Sequence, residues 1–86
     1  MNDLTEITRL AKQINGDLES SGVDLSRYTF YPCIEESGRF RILNRPFDEF
    51  GELRQVVASN STTPVYLLEP KNPANPLKIV NPSELL

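Results

Sequence analysis

The chain has 86 residues, one cysteine, no histidine and a formal net charge of −3. A length of this order makes a single domain that buries roughly 60–65 % of the surface its unfolded chain exposes, and the lone Cys33 excludes an internal disulfide. The acidic balance argues against a dedicated nucleic-acid binder, whose affinity comes from neutralising phosphates.

The N-terminal stretch, MNDLTEITR, is polar and acidic, without the basic and apolar regions of a signal peptide. No apolar run reaches the ~18 residues of a membrane span. A cytoplasmic location is expected, with no membrane association.

Leu4, Ile7, Ala11, Ile14 and Leu18 recur at three- and four-residue spacing, with Leu10 widening the stripe. This predicts an amphipathic helix over 3–20. Asp3 and Glu6 have the spacing of a capping box. Gly16 costs about 1 kcal/mol relative to alanine in a helix interior, but Leu18 keeps the stripe in phase, so Ser21-Gly22 is the expected stop. Barely two and a half heptads are too few for a coiled-coil seam, so the stripe is expected to pack on the domain's own sheet. Val23 and Leu25 follow in a short connection and are expected to tuck beneath it.

Residues 28–57 read as strand, tight turn, strand and helix, and form the centre of the single 1–86 domain. In the first strand Tyr28, Phe30, Pro32 and Ile34 alternate with Thr29, Tyr31, Cys33 and Glu35. In the second, Phe40 and Ile42 alternate with Arg39, Arg41, Leu43 and Arg45. A two-residue Ser37-Gly38 loop would pair Ile34 with Arg41 and Glu35 with Phe40, mixing the faces. A three-residue loop, Glu36-Ser37-Gly38, pairs Ile34 with Phe40 and Glu35 with Arg39, with Gly38 at the left-handed position of a bulged turn. The three-residue loop is the expectation. Pro32 cannot donate to a ladder, which predicts an edge strand or a bulge there.

Pro46 ends the second strand, and Asp48 is a suitable N-cap for a helix from Glu49 to Ser59, closed by Asn60-Ser61. Its apolar face is Phe50, Leu53, Val56 and Val57. Residues 64–69, PVYLLE, form a nearly all-apolar third strand, expected to be central and covered on at least one face. Residues 70–86 are punctuated by Pro70, Pro73, Pro76 and Pro82, three of them after asparagine. Within this segment Leu77–Val80 is a short strand expected to pair with the third. The ending NPSELL starts like a helix, with Asn81 as cap, Pro82 first and Glu84 third. The predicted class is α+β, in the order α-β-β-α-β-β: a three- to four-stranded sheet with two helices on one face.

Several chemistries are excluded. Without histidine there is no Ser-His-Asp or Cys-His arrangement, and one cysteine leaves no zinc ligand set. The glycines stand at 16, 22, 38 and 51, too scattered for a phosphate cradle. No cofactor or metal is expected. Glu35, Glu36 and Asp48 are expected to be solvated rather than catalytic, and Cys33 a half-buried structural thiol.

If the expected register holds, Tyr31, Arg39, Arg41, Leu43 and Arg45 share one exposed hairpin face. Arginine and tyrosine are enriched where proteins bind proteins, although a solvated, edge-protecting face would show the same residues. A second candidate is the open edge of the last strand with the NPSELL tail. The expected function is a small non-enzymatic protein-binding module: an inhibitor, adaptor or immunity-type factor, bacterial or phage-encoded, monomeric or weakly dimeric. The alternatives are an RNA- or single-stranded-DNA-contacting module using the same face, and a structural subunit of a larger assembly.

Overall fold

The computed structural model describes residues 3–60 and 63–85. In chain order these form α1 (Asp3–Ser20), β1 (Tyr31–Glu36), β2 (Arg39–Ile42), α2 (Phe50–Asn60), β3 (Val65–Leu68), β4 (Leu77–Val80) and a closing 3-10 turn, Pro82–Leu85. The α+β class and the element order are as the sequence predicts. The strands make one antiparallel sheet in the order β2-β1-β3-β4, which puts β1 and β3 in the middle.

The two helices do not share a face. Successive residues of a strand point to opposite sides of the sheet, and both sides of the central strands are buried. Tyr31, Cys33, Phe40, Leu68 and Leu77 pack with Ala11, Ile14 and Leu18 of α1. Leu43, Phe47, Val65 and Leu67 pack with Leu53 and Val57 of α2. The sheet is therefore sandwiched between the helices, and the expectation of two helices on one face is corrected.

The register is also corrected. Glu36 pairs with Arg39, Glu35 with Phe40, Ile34 with Arg41 and Cys33 with Ile42, which leaves a two-residue Ser37-Gly38 turn. Both turn residues have left-handed backbones, with φ of 55° and 81°. This is the type I′ geometry, whose twist matches that of the strands it joins. The mixed pairs it creates are tolerated because neither side of β1 is a solvent face. Each mixed pair joins one apolar and one charged residue near the rim of a separate core.

Pro32 lies in a central strand, not at an edge. Its carbonyl accepts from Leu43 N–H at 2.8 Å, so its missing donor also points towards the β2 side, where that ladder ends. The chain then makes an excursion through Asn44 (φ 71°), Arg45 and Pro46 and rejoins at Phe47, which exchanges backbone bonds of 2.8 and 2.9 Å with Phe30. Asp48 does not cap α2. Its Oδ1 accepts from Thr29 N–H at 2.9 Å and from the Thr29 hydroxyl at 3.2 Å, fastening the approach to β1.

Tyr31 anchors the α1 side. Its ring is fully buried, and its hydroxyl donates to Asp24 O at 2.6 Å and accepts from Tyr28 N–H at 3.0 Å. That bond organises the connection in which Val23 and Leu25 pack beneath the sheet. At the C-terminus Glu84 reaches back to Asn81 N–H at 3.2 Å, the reciprocal half of the predicted cap. The 3-10 turn it closes packs on α2. The side chains of Asp3 and Leu4, and the Ser61 cap, lie outside what the structure describes.

Two measurements test this description. Gly38→Ala should lose about 1 kcal/mol in urea denaturation through left-handed strain, while Ser37→Asn should gain a few tenths. Tyr31→Phe should lose about 1–2 kcal/mol, because it strips the Asp24 carbonyl and the Tyr28 N–H of their partner in two part-buried bonds.

Candidate interaction surface

The surface begins with how the edge strand β2 is held. Phe40 points its side chain towards α1 and its N–H outward, where Asp17 Oδ2 accepts it at 3.1 Å. The guanidinium of Arg41 covers the next outward group, Ile42 O, at 3.4 Å. Side chains of the same chain thus cover two of the four backbone groups that β2 turns outward, Phe40 N–H and Ile42 O.

Arg39 and Arg41 alternate with Phe40, so they project from the opposite side of β2, at an end of the sheet that α2 leaves open. Arg41 makes a two-pronged contact with Glu36, Nε to Oε1 at 2.8 Å and Nη2 to Oε2 at 3.2 Å. The Arg41 hydrogen bond and charge hold the Glu36 carboxyl below its ordinary 4.5. Glu36 in turn raises the pKa of Arg41. Arg39 Nη2 reaches round to Ser20 Oγ at the end of α1, 3.3 Å away. Arg45 lies on the Asn44–Pro46 excursion with its guanidinium carbon 4.0 Å above the Phe47 ring centroid, a cation–π seat. Its Nη2 is 3.5 Å from Glu52 Oε1 of α2, and Arg41 and Arg45 both keep about half of their side-chain surface in solvent.

The two apolar members of the expected face are elsewhere. Tyr31 faces α1, and Leu43 is buried against α2. The one-residue difference in register moves Tyr31 and the arginines to opposite sides of the sheet, so the five residues share no surface. Arg39, Arg41 and Arg45 alone remain exposed. The cation–π seat of Arg45 could not be read from strand alternation, because it depends on the excursion that begins at left-handed Asn44.

Among the described residues the carboxylates of the hairpin are dispersed. Glu35 and Glu36, adjacent in sequence, lie on opposite sides of the sheet, and Asp48 is committed to Thr29. Among the described residues no group of three or more Cys, Asp or Glu side chains is placed to hold a metal ion, and no helix is long and apolar enough to cross a membrane. Cys33 is fully buried, its Sγ 3.3 Å from Tyr31 O, and burial pushes the thiol up to about 12. A thiol so far from ionisation is not a nucleophile near neutral pH. Comparison with protein-family models, with curated proteins and with solved structures gives no match.

The buried thiol predicts an alkaline limit to stability. Below its ordinary value of 9.0 the thiol is protonated in both folded and unfolded chains. Above it the unfolded chain releases the proton and the folded chain keeps it, so stability falls with rising pH until about 12. The slope approaches about 1.4 kcal/mol per pH unit. Thermal unfolding followed from about pH 8 to about pH 10.5 should show this component in the native sequence and lose it in Cys33→Ala.

Proposed function

We propose that this chain is a small non-enzymatic protein-binding module of a bacterial or phage cytoplasm, an inhibitor, adaptor or immunity-type factor, acting through Arg39, Arg41 and Arg45. The observation that carries the reading is that local partners hold all three guanidinium groups in place and leave them exposed along the β2 edge of the sheet and the excursion that follows it. Ordered side chains lose less conformational freedom on binding than free ones. Arginine also combines a flat apolar surface with several donors. The partner chemistry that fits is a protein surface offering carboxylates or backbone carbonyls.

The nucleic-acid alternative has less to rest on. Tyr31, its one stacking side chain, is buried, and Glu36 and Glu52 offset two of the three arginine charges in place.

The reading is tested by capturing partners from a bacterial lysate with the immobilised chain and identifying them by mass spectrometry. Replacing Arg39, Arg41 and Arg45 together by serine should weaken the captured interaction about a hundredfold or more, with an unchanged far-UV spectrum. Capture that survives the triple replacement refutes the arginine surface. In a parallel titration with mixed RNA and DNA no binding is expected. A log–log salt slope of about −2 to −3 would favour the nucleic-acid reading instead.

A further inference from the structure

The two edges of the sheet are treated differently. Side chains of the same chain cover part of the β2 edge, as described above, whereas the strand β4 has no such cover. Glu69 N–H donates to Pro76 O at 2.8 Å, and Leu68 pairs with Leu77, Leu67 with Lys78 and Tyr66 with Ile79. Antiparallel pairs alternate between bonded and non-bonded, so Lys78 turns its backbone groups inward. Leu77 and Ile79 turn theirs away from the sheet, where no described residue takes them up. Lys78, the charge that could guard this edge, leans back instead. Its Nζ is 3.4 Å from Oε2 of buried Glu69, an oxygen with no hydrogen-bond partner. Ile79 meanwhile keeps 50 % of its surface exposed, although it belongs to an apolar row, Ile42–Cys33–Tyr66–Ile79, that crosses the α1 side of the sheet.

We infer that β4 is the seam of a homodimer in which two copies pair antiparallel about a twofold axis at Ile79. In that register Ile79 exchanges both backbone bonds with its counterpart and extends the apolar row from one copy into the next. Each Leu77 N–H lies opposite the Asn81 carbonyl of the second copy, which already accepts from its own Glu84 N–H at 2.9 Å and takes Leu77 N–H as a second donor. Asn81 N–H takes no part, because it already donates to Glu84, and this limits the seam to the strand itself. Lys78 faces Val80 of the second copy and keeps its own Glu69. The neighbouring twofold registers are poorer. Centring on Lys78 sets two like charges opposite one another in a close pair, and centring on Leu77 brings the Asn72–Asn75 turn against Ile79. A second copy fits this edge better than an arbitrary strand because the twofold register sets the exposed Ile79 against its own counterpart and keeps the two Lys78 side chains apart.

The seam is short, so association is weak and concentration-dependent. Sedimentation velocity on the full chain from about 10 µM to about 1 mM should show the average mass rising from one chain towards two. Ile79→Pro should abolish the rise while the circular dichroism spectrum stays native, because the N–H it removes faces outward and supports no bond to β3. Ile79→Lys, at a half-exposed position, should abolish it independently by setting like charges across the axis. A native chain that remains monomeric throughout overturns the proposal. So does association that persists in the folded Ile79→Lys variant.

Discussion

The Ser37-Gly38 turn fixes which side of the sheet every hairpin residue occupies. With both turn residues left-handed, Glu36 must face Arg39, and the pairing of β1 with β2 runs from there. Tyr31 and Cys33 then join Phe40 and Ile42 under α1, while Ile34 shares a side with Arg41 and Leu43. A shift of one residue would set Arg41 beside Cys33 beneath α1 and turn Phe40 away from the helix. Burying an unpaired guanidinium there would cost several kcal/mol, comparable with the whole stability of a domain this small. The turn and the two cores therefore specify the same arrangement.

Some of this was legible before the fold was known. The stripe in α1 has an unambiguous period, and Ala11, Ile14 and Leu18 are its buried centre. The apolar run in β3 gave its central position, and both of its sides are covered. The sides of β1 were not legible by alternation, because Phe30 and Ile34 at one parity and Tyr31 and Cys33 at the other are all apolar. A strand with apolar residues at both parities belongs between two layers, and reading it as half-solvated led to the wrong turn length. Asp48 shows the limit of local rules. It is a good cap by sequence, but a tertiary contact with Thr29, 19 residues away, claims its carboxylate.

The arginine surface follows a similar logic. Exposed ion pairs such as Arg41–Glu36 and Arg45–Glu52 contribute little to stability, and their main effect is on orientation. The carboxylates keep long cationic side chains from sampling many rotamers, and Phe47, itself buried, gives Arg45 a flat base. An acidic protein can in this way present ordered positive groups without a strongly positive local field. Such a surface would discriminate between partners by geometry more than by long-range attraction.

The place of β3 between β1 and β4 matters for a chain made from its N-terminus. Residues 1–60 can bring together α1, the hairpin and α2, but the inner edge of β1, with the outward amides of Tyr31 and Cys33, has no strand beside it until Leu68 has left the ribosome. During synthesis the nascent protein therefore carries an unpaired, apolar strand edge at its centre. Pro32 does not interrupt that edge, because its missing donor points to the β2 side, so the donors that await β3 stay unguarded by it.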